Sequence, residues 1–183
     1  MSYTLGQFLG ILSTVGCIVM PLYKKKWQMT VNTLVVNLLM AFNFILIGQF
    51  GSAIFLYLVA CVQTIVSLIH TQRDTEVTLA EKVIFLFLYV GLGIFGIITA
   101  PGFEWVLNFR NILEILPIIG SILSMIFVFV KDEKVARRYL LATSSIWCFY
   151  TAMVGSSVFF AQLVSLITTL IAIYKYRNHK VSE

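Results

Sequence analysis

Asn43, Met40, Trp147 and Tyr150 are the residues of this 183-residue chain whose types could hold a small solute. An amide brings donors and an acceptor, a thioether and an indole bring apolar faces, and a phenol adds a polar tip. Such a set suits a small polar ligand, neutral or zwitterionic, bound by hydrogen bonds and stacking. The four lie in two stretches, LLMAFNFILIGQF at 38–50 and SIWCFYTAMVGSS at 145–157, that hold the same place in two copies of one pattern. A shift of 107 residues carries Lys24 onto Lys131, Ile11 onto Ile118, Met40 onto Trp147, Phe42 onto Phe149, Asn43 onto Tyr150, Gly48 onto Gly155 and Leu56 onto Leu163.

Other polar residues inside apolar runs need a reason to be there. Asn32 and Asn43 are 11 residues apart, about three helical turns, and so share a stripe. Their counterparts are Tyr139 and Tyr150, and the outer pair, Asn32 and Tyr139, can reach headgroups. Asn37, which matches Ser144, falls on a different face. The simpler alternative for each Asn is a bond to a neighbouring helix, worth about 0.6 kcal/mol on average. Glu114 is the carboxylate that sits within an apolar run, NILEILPIIG, and its counterpart is Gln7. It could serve a coupling ion or proton, or pair with Arg110 one turn earlier. Pro117 breaks the backbone ladder of its helix and falls opposite Gly10, so the two positions are hinge candidates. Gly6 and Gly10 form a GxxxG pair, the mark of a close helix contact within the chain or between two copies. Gln63 and Gln162 either line a path or bond a neighbouring helix.

Enzyme chemistry is not expected. His70 and His179 stand at span ends without a membrane carboxylate beside them, and no nucleophile–base set or phosphate loop can be assembled. Cys17, Cys61 and Cys148 are scattered through apolar segments, which fits neither a disulfide framework nor a metal site. No cofactor is expected. The net charge of +5 comes from short basic clusters between apolar runs, a topology signal and not a nucleic-acid stripe.

The elements that position these residues follow from composition. The chain is 60% apolar and 11% charged, against about 45–50% and 25% in soluble domains. Its apolar runs match the 17–25 residues that cross a bilayer. Seven spans are expected, at 5–23, 28–47, 51–70, 80–99, 112–130, 136–154 and 157–175, with tight joints near Gly48–Gly51 and Gly155–Ser157. This is an all-α polytopic membrane protein in one domain, 1–183. It divides into a three-helix repeat (5–70), a linking helix (80–99), a second repeat (112–175) and a tail (176–183). Seven spans place 12 of the 13 Lys and Arg residues on one side and leave Arg110 opposite. Basic residues are retained in cytoplasmic loops, which puts the C-terminus inside and the N-terminus outside. Parallel repeats in transporters place a site between the halves near the midplane.

Further residues carry a resemblance. The run ILEILPIIGSILSMIFVF, the following DEK, SSIWCFYTAMVGS and the closing IAIYKYR resemble the bacterial inner-membrane YgjV family. KKKWQMTVNTLVVNLLMAFNFILIG resembles that family's first repeat, so nearly the whole chain is covered. The resemblance implies the bacterial cytoplasmic membrane and a fold of the SWEET and PQ-loop kind, whose members mostly carry small metabolites. Departures fall at Asn43, Gln63 and Thr151, and the Pro-Gln pair is missing. The expectation is a small-solute transporter or facilitator with its site between the repeats. The alternative is a receptor, assembly or regulatory protein on the same bundle, since fold does not fix function.

Overall fold

The structure, a computed structural model, describes residues 2–46, 52–99, 109–153 and 158–176. The hairpin glycines Gly48 and Gly155, the tail beyond Tyr176 and the Arg110 side chain lie outside what is described. The described residues form helices α1 (Ser2–Val19), α2 (Lys26–Leu46), α3 (Ser52–Gln72), α4 (Leu79–Ile98), α5 (Phe109–Leu113), α6 (Ile115–Phe129), α7 (Glu133–Met153) and α8 (Val158–Lys175), with a 3₁₀ turn at Met20–Leu22 after α1. Among the described residues there is no strand. The expected spans and these helices agree to within a few residues, because apolar runs of this length have no other way to satisfy their backbone in lipid.

Local sequence explains the helix ends. Thr78 and Glu81 form a capping box at α4, the hydroxyl accepting from the Glu81 N–H at 3.2 Å and the carboxylate from the Thr78 N–H at 2.7 Å. Asp132 opens α7 by accepting from the backbone N–H of Lys134 and Val135. Asp74 takes a left-handed conformation after α3, with φ of 49°, one that Asp tolerates better than most residues. The Thr75 N–H then folds back to the His70 carbonyl at 3.0 Å. Pro117 has no N–H for the Leu113 carbonyl, and the rod is interrupted at Glu114, which splits α5 from α6. With α5 and α6 taken as one interrupted rod, the described residues form seven rods.

By length and composition, α2, α3, α4, α8 and the stretch Thr4–Leu22 are each apolar enough to cross a membrane. The α6 helix is apolar but shorter, and α7 begins with the charged run EKVARRY. Large apolar side chains such as Phe8, Ile11, Phe42, Phe87 and Phe160 are exposed on the outside, the reverse of a water-soluble bundle and what lipid contact requires.

The rods close into a ring. Along it α1 packs on α2, α2 on α3, α3 on α6, α6 on α7, α7 on α8 and α8 on α1. The α4 helix stands outside, against α3 and α6. It is seated by Gly93, where an added Cβ would lie 2.6 Å from Ile118, and by Gly96, where one would lie 2.4 Å from the Ser52 Cα. Tyr89, fully buried, anchors its middle, donating to Gln63 Oε1 at 2.6 Å. The Gln63 amide in turn donates to the Met125 carbonyl at 3.0 Å, so α3, α4 and α6 are tied at one depth.

Candidate solute cavity at the centre of the ring

The stripe of Asn32 and Asn43 faces α1. Asn43 donates to the Gly6 carbonyl, and Asn32 donates to the Gly16 carbonyl at 2.7 Å. Glycines make room for both: a Cβ on Gly10 would come within 2.9 Å of the Asn43 amide, and one on Gly16 within 2.5 Å of Val36. The GxxxG pair is therefore used inside the chain, as the seat of an antiparallel seam between α1 and α2. Replacing Asn43 by Leu is expected to lower stability by about 1–2 kcal/mol, from a lost buried bond and a bulkier seam. Reversible unfolding in mixed micelles measures this. An unchanged midpoint would show that the seam does not depend on the amide.

Glu114, at the break between α5 and α6, accepts from Ser52 Oγ of α3 at 3.0 Å and from the Tyr150 hydroxyl of α7 at 3.2 Å. Tyr150 therefore engages a carboxylate, while its ring meets the Trp147 ring edge-on at 5.9 Å. Pro117 is buried beside the break. Gly10 lies within an uninterrupted α1, and its carbonyl accepts from the hydroxyls of Ser13 and Thr14.

The cavity itself lies on the far side of Met40 from Asn43. It encloses about 70 Å³ and is lined from every ring helix and from α4. Met40 and Trp147 line it; Asn43 and Tyr150 are not among its lining residues. Asn37 and Ser144, which sequence periodicity set on another face, do line it, together with Thr143, Gln162, Ser165, Ser121 and Ser124. Among its lining residues, Cys17 and Ser124, Met20 and Phe127, Thr33 and Leu140, Val36 and Thr143, Asn37 and Ser144, and Met40 and Trp147 stand 107 positions apart. No Lys, Arg, His, Asp or Glu is among the lining residues described.

Two polar atoms at this wall have no hydrogen-bond partner, Asn37 Nδ2 and Thr143 Oγ1. The Thr143 case is informative. Thr30, Thr33, Thr64, Thr151 and Thr169 each return their hydroxyl to the carbonyl four residues back, which is the default for a helical threonine. Thr143 does not, and a buried hydroxyl without a partner costs about 1–3 kcal/mol. Asn43 Oδ1 is likewise unpartnered, in the α1–α2 seam.

Packed contacts among the described residues lie toward both ends of the cavity. Toward the basic end, Met20, Met29, Phe127, Val128, Ala136 and Leu140 pack into one cluster. Two cations from opposite sides of the ring lock it. Lys26 of α2 donates to the Phe127 carbonyl and stacks 3.9 Å over that ring. Arg137 of α7 reaches the Tyr23 carbonyl at 2.8 Å and the Pro21 carbonyl at 3.3 Å. Arg137 is 2% exposed and is backed by the Tyr176 ring at 4.6 Å and by Glu133 at 3.9 Å. Toward the other end an aromatic chain crosses: Phe44 stacks on Tyr57 at 5.6 Å and Tyr57 on Trp147 at 5.7 Å.

Comparison with known proteins gives the address. A family model described as a bacterial inner membrane protein, Imp-YgjV, matches residues 4–180, and the chain belongs to this family. Neither curated proteins nor solved structures gave a match.

Proposed function

We propose that this multi-pass inner-membrane protein binds a small polar solute, neutral or zwitterionic, at the centre of its helix ring and passes it across the bilayer. The observation that carries this is the pair of unpartnered polar atoms, Asn37 Nδ2 and Thr143 Oγ1, brought to one uncharged cavity from α2 and α7. Unpaired buried groups destabilise a fold, and a ligand that satisfies them gives a reason to keep them. The wall offers hydroxyls, an amide and the aromatic faces of Tyr57 and Trp147, and no fixed charge to hold an ion. In this arrangement the chain binds and releases without a chemical step.

A cavity of about 70 Å³ holds a few waters, where a metabolite needs about 300 Å³ or more. Passage then requires the ring to open at one end at a time, by parting the cation clasp or the aromatic chain. We place the clasp end in the cytoplasm. The basic residues Lys26, Lys82, Lys131 and Arg137 gather there, as the retention of Lys and Arg in cytoplasmic loops requires.

The small volume and the contacts at the two ends also fit a receptor or assembly protein that never opens. One variant separates the two. Thr143→Val with Asn37→Leu is expected to raise ligand-free stability by about 1 kcal/mol, because it removes unpaired polar atoms. The same change should abolish thermal stabilisation by millimolar sugars, nucleosides or amino acids, whichever stabilises the wild type. A solute at 100 times its dissociation constant adds about 2.7 kcal/mol, and flux into proteoliposomes should fall with it. Solute stabilisation that survives the variant would move the site elsewhere. An absence of both stabilisation and flux in the wild type would favour the receptor or assembly role.

A further inference from the structure

A second cavity, separate from the central one but sharing Lys26 with its basic end, opens at the basic end of the bundle. It encloses about 320 Å³ between the start of α2, the end of α3, the loop into α4 and the end of α6. Its wall carries Lys26, Lys82 and Lys131 against one carboxylate, Glu76. Glu76 pairs with Lys131 at 3.3 Å. Lys26 donates to the Phe127 carbonyl and lies over the Phe127 ring, so its ammonium is already engaged. Lys82 has no ion pair among the described residues. The cavity thus keeps an excess of positive charge that its own acids do not balance.

The surroundings hold this wall in shape. His70 bonds Thr75 at 2.7 Å through one ring nitrogen and Glu81 at 3.0 Å through the other, which fixes the loop between α3 and α4. The negative end of α6 is already engaged, since Phe127 and Val128 carbonyls accept from Lys26 and from Ser67. An anion entering here meets Lys82 and Lys131, while the hydroxyls of Thr30, Ser67 and Thr71 already donate to backbone carbonyls.

We propose that this cavity binds a phosphate-bearing anion. Lysine ammoniums act as point charges for phosphate, and Lys82 and Lys131 on one wall suit a group with charge spread over several oxygens. The volume exceeds what a carboxylate alone would fill and admits a phosphate with its attached glycerol or sugar. The face of α4 next to Lys82 continues with Leu79, Val83 and Phe87, all exposed, a track on which acyl chains can lie. Basic pockets between membrane helices at the cytoplasmic side are a recurrent lipid-headgroup geometry. A soluble phosphate shares the chemistry but makes no use of that track.

The test uses purified full-length protein, Lys82→Gln/Lys131→Gln in the cavity, and Lys24→Gln/Lys25→Gln outside it as a control that removes equal charge. Native mass spectrometry with dioleoylphosphatidylglycerol, and with dioleoylphosphatidylethanolamine as reference, reads the lipid source. Thermal stabilisation by inorganic phosphate reads the soluble one. The wild type and the control should retain phosphatidylglycerol over phosphatidylethanolamine, with retention at least tenfold weaker in the cavity variant and restored in Lys82→Arg/Lys131→Arg. Stabilisation by inorganic phosphate alone, lost in the cavity variant, would also support the site and assign it to a soluble ligand. Equal losses in the cavity variant and the control would overturn it in favour of diffuse surface charge. So would the absence of any phosphatidylglycerol preference or phosphate effect in the wild type.

Discussion

Gly96→Ala is expected to lower the stability of the protein by about 3 kcal/mol, the upper end of what one added methyl costs in a packed interior. The methyl would sit 2.4 Å from the Ser52 Cα and 2.8 Å from its nitrogen. Both are backbone atoms at the start of α3, so no rotamer change relieves the clash, and α4 must lift from α3 or α3 must bend. Lifting α4 also strains the bond from Tyr89 to Gln63 and, through it, the link to Met125. The matched control is Gly91→Ala on the same helix, where nothing lies within 4 Å of the new atom. That variant should be neutral or gain up to about 1 kcal/mol from helix propensity. Unfolding midpoints of the two variants in mixed micelles decide the matter. Equal effects would mean that α4 is loosely seated and that its contact with α3 is dispensable.

Arg137→Met should cost about 3 kcal/mol and open the basic end of the ring. The arginine is almost wholly buried, and its removal leaves the Pro21 and Tyr23 carbonyls without their charged donor. Charge-assisted hydrogen bonds contribute about 1.5–3 kcal/mol each, and breaking a buried ionic contact about 3–5. Methionine keeps much of the length and apolar stem, so the loss reports the guanidinium and not an emptied space. Cys17 supplies the readout, since it is buried and lines the central cavity. With Cys61→Ala and Cys148→Ala in the background, Cys17 should resist maleimide in the parent and react at least tenfold faster in the Arg137→Met variant. Protection that persists despite lowered stability would assign the seal to the packing of Met20, Met29 and Phe127 instead.

The helices were legible in the sequence because lipid leaves few options: apolar runs of membrane-spanning length must be helical, and their ends carry readable signals such as Thr78 with Glu81, Asp132 and Pro117. Met40 and Trp147, singled out in the sequence by the 107-residue offset as candidate solute contacts, both line the central cavity. The choice of asparagine was not legible. Asn37 and Asn43 stand three residues either side of Met40, so each lies about 60° away on the helix wheel, in opposite directions. Periodicity gives that angle and carries no information on which side of Met40 turns inward.

Packing made that choice. Gly10 and Gly16 leave room on α1 beside Asn43 and Asn32, whose amides bond α1 carbonyls, and in this packing Asn37 lines the centre. In α7, Tyr150 bonds Glu114 while Thr143 and Ser144 line the wall. By itself the sequence determined the membrane, the helix count and the gathering of basic residues at one end, all properties of single segments in lipid. Which polar atoms lack partners, and which cations close the ring, depends on contacts such as Arg137 with Tyr23, 114 residues apart. Only the tertiary structure decided those, because an unsatisfied group is defined by what every neighbouring helix fails to offer it.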